Sequence, residues 1–241
     1  MSRWFSRLAL LAGVVAAAFV GAAGPAYRYA GFELGHSFKL MEWGVYAAAA
    51  AAVLAILWII VSAVTRSMEG LMSFILALVL AIGAAYMPLN MRATAEKLPF
   101  IHDITTDTAN PPAFVAIAPL RAAAPNGVDY KTDPTKQQSG YPDIQPLVTP
   151  DVAPADLFTR AEATAKAMGW EIVAAEAAEG RIEATDTTQW WGFKDDIIIR
   201  ISAEGTGSRL DIRSMSRVGG SDLGKNAERI RAFLAKLKEA K

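Results

Sequence analysis

Three side chains near the middle of the chain, His102, Asp103 and Asp107, could together act as a general base or hold part of a metal site. One imidazole and two carboxylates can bind a divalent cation, and histidine is the most frequent proton carrier in catalysis. Neighbouring residues on an extended strand point to opposite faces, which places His102 and Asp103 poorly for joint action. A hydrolase or metal-assisted enzyme is therefore the alternative hypothesis. The main hypothesis, that the protein acts by binding, assigns no catalytic residue, metal or cofactor. In that case these polar side chains hydrogen-bond nearby backbone groups in caps and turns.

A second set of charged residues is predicted on one face of a β-hairpin. The strands 194–203 and 208–217 are joined by a Gly-containing turn, and its register places Arg200 opposite Asp211. Opposite charges across a strand pair stabilise a hairpin by about 0.2 to 1 kcal/mol, so a solvated charged face is one interpretation. The other is a binding surface, because two arginines and the free N–H groups of the last helix could hold an anion. The predicted ligand-binding residues are Asp196, Arg200, Asp211, Arg213, Arg217 and Asp222.

Composition excludes several classes of site. The 241 residues include no cysteine and only two histidines, so disulfides, Cys-based zinc sites and iron–sulfur clusters are impossible. Net charge is zero, with 24 basic and 24 acidic residues, which gives no basic footprint for nucleic acid. The spacing of Gly219, Gly224 and Lys225 imitates a phosphate-binding loop. Asn226 replaces the hydroxyl residue that would ligate magnesium, so nucleotide binding is not expected.

The apolar residues are concentrated at the N-terminal end. Three stretches, 8–24, 44–64 and 71–89, contain no charged residue and approach the 20 residues that span a bilayer. The first could be a cleaved signal peptide, but Pro25 directly after its small residues disfavours cleavage. Residues 1–91 are therefore predicted to form a three-helix transmembrane anchor that contacts the lipid bilayer. Intramembrane ionisable groups usually mark transport pathways, so their absence from these stretches favours an anchor over a transporter.

The distribution of basic residues predicts the orientation of this anchor. With the N-terminus inside, the inner side has Arg3, Arg7 and Arg66, and the outer loop has Arg28 and Lys39. The excess of Lys and Arg inside is small but follows the positive-inside rule. Three spans then place the C-terminal domain outside the cytoplasm.

Residues 92–241 are predicted to form a soluble α+β domain. Its first part, 92–154, holds ten of the twelve prolines, which predicts an extended arm with a short strand at 113–117. After this arm, the periodicity predicts helix, four strands, helix, the order αββββα. The last helix should start with Ser221 as its N-cap. This pattern is typical of an antiparallel sheet with both helices on one face. Three large rings, Trp190, Trp191 and Phe193, are expected in its core.

Several motifs of this domain resemble the family called domain of unknown function 1499. They are Ile-Glu-Ala-Thr at 182–185, Trp-Gly-Phe-Lys-Asp-Asp at 191–196, Asp-Ile-Arg-Ser at 211–214, Ser-Arg-Val-Gly at 216–219 and Ser-Asp-Leu-Gly at 221–224 with Asn226, preceded by His-Asp-Ile-Thr-Thr-Asp at 102–107 and the prolines at 111–112. The resemblance covers about 99–237. It implies a small domain, often behind membrane helices, in bacterial envelopes or plastids, with no established activity.

The resemblance and the apolar spans together predict a multi-pass protein of the bacterial inner membrane, with its soluble domain on the periplasmic side. The expected function is binding of a lipid headgroup, an anion or an envelope protein partner, with catalysis by His102, Asp103 and Asp107 as the alternative.

Overall fold

The computed structural model describes residues 2–239, which fall into two compact units. The helical unit comprises the chain up to Glu96 together with the loop Gln189–Gly192. The sheet domain comprises Lys97–Thr188 and the chain from Phe193 onward.

The helical unit contains three long apolar helices: α1 Ser2–Ala30, α2 Leu34–Thr65 and α3 Leu71–Ala95. Each is long and apolar enough to cross a membrane, which confirms the three predicted helices. Small residues allow close packing: a Cβ on Gly44 would lie 2.5 Å from Val20 Cγ2. Large apolar side chains such as Leu11, Ile56 and Val79 face outward, as suits contact with lipid.

The loop Gln189–Gly192 packs within the helical unit. The Trp191 ring makes edge-on contacts with Phe38 and Tyr27, at centroid distances of 5.1 Å and 6.5 Å. Trp190 lies against Gly24, where a Cβ would be only 2.7 Å from the indole ring. The prediction that these two tryptophans belong to the core of the sheet domain is therefore wrong.

The sheet domain is built on six antiparallel strands in the order β1-β6-β5-β4-β3, with β2 also paired to β6. The strands are β1 Asp103–Thr105, β2 Leu147–Thr149, β3 Glu171–Glu176, β4 Arg181–Thr187, β5 Lys194–Glu204 and β6 Gly207–Ser216. The helices are α4 Pro134–Gly140, α5 Pro154–Ala167 and α6 Lys225–Glu239, with short 3₁₀ turns at Ala118–Arg121 and Ala177–Glu179.

The α+β prediction is confirmed, including the β5–β6 register, in which Arg200 pairs with Asp211. The two additional strands, β1 and β2, come from the Pro-rich arm, and each is only three residues long. The predicted strand at 113–117 does not form, because the backbone N–H groups of 115–117 bind a side chain instead of a strand. The last helix begins at Lys225, and Ser221 does not cap it.

The sheet is covered on both faces. On one face, α5 and α6 pack Leu157, Ala161 and Phe233 onto isoleucines of β5 and β6, forming the main core. On the other face, the arm places Phe114 and Ile117 against Ile198 and Met215. Because α5 and α6 cover one face of the sheet and the arm covers the other, successive side chains along the central strands face either the helices or the arm.

Gly180, between β3 and β4, lies close to the backbone of β5. It has φ +64°, and an added Cβ would lie 2.1 Å from the carbonyl oxygen of Ile201. Gly205 has φ +58° but open space around it, so it shares the conformation without the contact. We expect Gly180→Ala to destabilise the sheet domain by about 1 to 3 kcal/mol more than Gly205→Ala, because only the former forces atoms apart.

The measurement is urea unfolding of the full-length protein in mild detergent, followed by near-ultraviolet circular dichroism. Equal destabilisation by the two substitutions would contradict the close approach of Gly180 to β5.

Candidate functional site

The charged residues predicted on the β5–β6 hairpin lie beneath the arm. Asp196, Asp211 and Arg213 are at most 2% exposed. The middle of this face is therefore not a solvated surface, because the arm folds over it. The face is a buried ion-pair network, in which each charge needs a partner to offset its desolvation.

Asp196 is the centre of the first ion-pair cluster. Its carboxylate accepts hydrogen bonds from Arg121 Nη1 at 2.7 Å, Thr185 Oγ1 at 2.7 Å, and Arg217 Nε and Nη2, both at 2.8 Å. Burial acts to raise the pKa of Asp196, but the hydrogen bonds from Arg217, Thr185 and Arg121 outweigh it and hold the pKa below its usual value. Arg121 comes from the arm, so this cluster fastens the arm to β5.

Arg213 forms the second cluster with Asp103 of β1. Its Nε and Nη2 donate to the two carboxylate oxygens at 2.9 Å and 2.8 Å, the bidentate geometry that suits guanidinium. The same guanidinium donates to the carbonyl groups of Pro112 and Val128. The Phe114 ring lies 4.9 Å from its central carbon. All these partners come from the arm or β1, so Arg213 has an internal role.

The Glu183 side chain, on β4, binds backbone N–H groups of the arm. Its buried carboxylate accepts N–H bonds from Val115, Ala116 and Ile117, and it also pairs with Arg181. Glu183 was not among the predicted site residues. Its position in the strand could have identified it: Glu183 alternates with the apolar Ile182 and Ala184, so its side chain had to face away from the helices.

Asp222 and Arg217 also have internal partners. Asp222 Oδ1 accepts from the Gly224 N–H and Oδ2 from the Asn226 N–H, so it caps the start of α6 in place of the predicted Ser221. Burial raises the pKa of this carboxyl. The start of α6 is therefore occupied by a carboxylate of the chain itself, at the place where an anion was predicted.

The residues of the alternative catalytic hypothesis belong to separate interactions. Asp103 binds Arg213, whereas Asp107 binds Arg200 at 3.0 Å and Arg209 at 3.3 Å. The backbone carbonyl of His102 accepts from the Ser216 N–H. Within residues 2–239, no three His, Asp or Glu side chains are grouped so that they could hold a metal ion.

A polar cleft of about 220 Å³ opens beside Asp107 and Arg209. Its walls are the arm segments 106–109 and 144–146, the α4 glutamines 137 and 138, and Arg209 from β6. It lies where β1 ends and β2 begins along the same edge of β6. Here the arm leaves hydrogen-bonding groups partly open to solvent.

The charges at the cleft are balanced. Arg200 and Arg209 both bind Asp107, and both also bind Asp211, at 2.9 Å and 3.0 Å respectively. Arg200 and Arg209 keep about 30% of their side chains exposed. Of the six predicted ligand-binding residues, Arg200 and Asp211 belong to this ion-pair group. Sequence reasoning missed Arg209, although it lies two residues before Asp211 and so shares its face.

The amide side chains of the cleft wall are held in place. Gln138 Nε2 donates to Thr108 Oγ1 at 3.1 Å, and Gln145 Nε2 donates to the carbonyl oxygen of Pro142 at 3.1 Å. Each amide retains a carbonyl oxygen and a second N–H for a ligand. The arrangement can therefore bind a polar molecule through directed hydrogen bonds.

The cluster around Asp196 predicts how the sheet domain responds to acid. Because its pKa is lower in the folded state, its contribution to stability is present above the unfolded pKa of about 3.9 and is lost as the pH falls through the folded value. We expect Asp196→Asn to lower the free energy of unfolding by about 3 to 5 kcal/mol at neutral pH, because Arg121 loses its buried partner. The difference from the unmutated chain should shrink below about pH 4.

Asp143 provides the matched control, because it also forms two hydrogen bonds with an arginine, Arg231, but at the surface. Asp143→Asn should change the free energy of unfolding by less than about 1 kcal/mol. Urea unfolding of the full-length protein at pH 7, 5 and 3 measures both. A loss for Asp196→Asn that is constant with pH would show that the carboxylate charge is not what stabilises the cluster.

Comparison with known proteins places these motifs in a family. No curated protein matches the chain. One family model, described as a protein of unknown function (DUF1499), matches residues 103–237, from the first residue of β1 into α6. This match includes the arm from residue 103 onward, all six strands and both ion-pair clusters, and it covers more than half of the chain. The protein therefore belongs to the DUF1499 family, as the motifs had suggested.

Proposed function

We propose that this protein is a membrane-anchored binding protein of the bacterial cell envelope. Its sheet domain recognises an uncharged, polar segment of an envelope protein in the cleft beside Arg209. The observation that carries this proposal is the cleft itself, in which amides, hydroxyl groups and a charge-balanced ion-pair group line about 220 Å³. Three helices long and apolar enough to cross the bilayer support the role of the helical unit as an anchor.

Binding is favoured over catalysis by the state of the carboxylates. A general base needs a lone pair within hydrogen-bond reach of the substrate. Asp103 is 1% exposed, beneath the arm. Asp107 lies at the cleft, but its Oδ1 accepts from the N–H groups of Ala109 and Asn110, and its Oδ2 from Arg200 and Arg209. Both carboxylates therefore act in positioning the chain.

The charge balance of the cleft favours an uncharged partner over a free anion. Two arginines are matched by Asp107 and Asp211, so an entering phosphate would have to displace a carboxylate from its ion pairs. The glutamine amides offer donors and acceptors of the kind that peptide groups require. A polar chain segment of an envelope protein satisfies both conditions.

The test is site-specific photo-crosslinking in the native bacterial host. A photoreactive amino acid replaces Gln145 at the cleft or Thr159, which is exposed on α5. We expect a discrete protein adduct from position 145 and none from position 159. The captured partner is then purified, and its affinity is measured for the full-length protein carrying Gln138→Ala with Gln145→Ala. We expect at least a tenfold loss relative to Thr159→Ala, since each lost hydrogen bond is worth about 1 kcal/mol.

Two outcomes would overturn the proposal. Adducts that form equally at 145 and 159 would show that the cleft is not selective. A lipid or glycan adduct at 145 would show a partner of a different class from the one proposed.

We further propose that the sheet domain lies on the periplasmic side of the inner membrane. Counted over the N-terminal segment and the two connections between the helices, the inner side has Arg3, Arg7 and Arg66 and the outer loop has Arg28 and Lys39, which supports this orientation. Protease added to intact spheroplasts should then remove a C-terminal epitope tag, whereas inverted membrane vesicles should protect it. Protection in spheroplasts with cleavage in inverted vesicles would reverse the assignment.

A further inference from the structure

A second cavity, of about 430 Å³, lies in the helical unit at the corner between α1 and α2. One side is apolar, made by the exposed Phe32 and Trp43 and the half-buried Leu40. The other side carries the polar side chains of Glu33, His36 and Lys39. An apolar wall beside a charged rim is the composition of a site for an amphipathic ligand.

The length of the helices places this corner at the membrane interface. The 29 residues of α1 extend about 43 Å at 1.5 Å per residue, whereas the hydrocarbon core is about 30 Å thick. The corner at 31–33 follows the end of α1 and precedes the apolar stretch 44–64, so it lies beyond the hydrocarbon. Trp43, 61% exposed, stands where aromatic side chains mark the headgroup level.

Within residues 2–239, Lys39 forms no ion pair with a carboxylate. The Glu33 side chain is 84% exposed, and its Oε2 lies 3.6 Å from His36 Nδ1. The groove therefore offers an available ammonium and an available carboxylate next to an apolar wall.

We propose that this groove binds one zwitterionic phospholipid whose headgroup carries a primary ammonium. The lipid phosphate lies at Lys39, the headgroup ammonium donates to Glu33, and the start of an acyl chain covers Leu40 and Trp43, on the bilayer side of Lys39. An anionic headgroup without a cation would leave Glu33 facing negative charge. A quaternary ammonium would supply charge but no N–H donor for Glu33. The combination therefore selects a phosphoethanolamine headgroup.

Native mass spectrometry of the full-length protein, released from detergent and titrated with lipids of one acyl composition, tests this proposal. The headgroups compared are phosphoethanolamine, phosphocholine and phosphoglycerol. We expect one phosphoethanolamine lipid to bind at least fivefold more tightly than either of the others. Lys39→Gln should reduce this affinity at least fivefold. Glu33→Ala should abolish the preference over phosphocholine, because it removes the acceptor that distinguishes a primary from a quaternary ammonium.

Arg66→Gln is the matched control, because it removes an exposed charge just after the other end of α2. Its lipid affinities should equal those of the unmutated chain, and all three variants should keep the same helical circular dichroism. Equal affinity for the three headgroups, or an equal loss from Lys39→Gln and Arg66→Gln, would overturn the proposal. So would a preference for phosphoglycerol, since that would assign the site to anionic lipid.

Discussion

The sheet domain depends on buried ion pairs between its Pro-rich arm and the outer face of its sheet. Asp196 and Arg213 could not stay charged in this environment alone, because desolvation of each ion costs several kcal/mol. Arg121 and Asp103, from the arm and its first strand, supply the opposite charges. A segment with so many prolines has few backbone hydrogen bonds of its own, so these side-chain partners determine where the arm lies.

This arrangement also determines which polar groups remain available. Internal hydrogen bonds occupy both carboxylates at the centre of the sheet face: Asp196 binds Arg121, Thr185 and Arg217, and Glu183 binds Arg181 and N–H groups of the arm. At the edge, β1 and β2 both pair with β6 and leave an interval between them. Arg209 and Asp107 meet beside this interval. The charged groups that stay partly exposed therefore lie at the border of the arm and not in the middle of the strands.

The sequence was sufficient for features that depend on local pattern. Apolar length predicted the three helices, and turn geometry predicted the β5–β6 register with its Arg200–Asp211 pair. It was insufficient for partners far apart in the chain: Arg121 and Asp196 are separated by 75 positions, and Asp103 and Arg213 by 110. Periodicity carries no information on such pairs. The charged residues of the hairpin were therefore predicted, but not the arm residues Arg121 and Asp103 that pair with them.

Side-chain hydrogen bonds hold the walls of the cleft in place, as they do the rest of the arm. Gln137 accepts from the Thr105 N–H at 3.0 Å and donates to the Thr105 carbonyl at 2.7 Å, so its side chain continues the pairing of β1. This fixes α4 against the sheet edge and orients the adjacent Gln138 toward Thr108. For the binding proposed above, the donors and acceptors at the cleft are already ordered, so the loss of conformational entropy is small. The arm thus performs two tasks with one set of contacts, since the bonds that close the outer face of the sheet also preorganise its polar border.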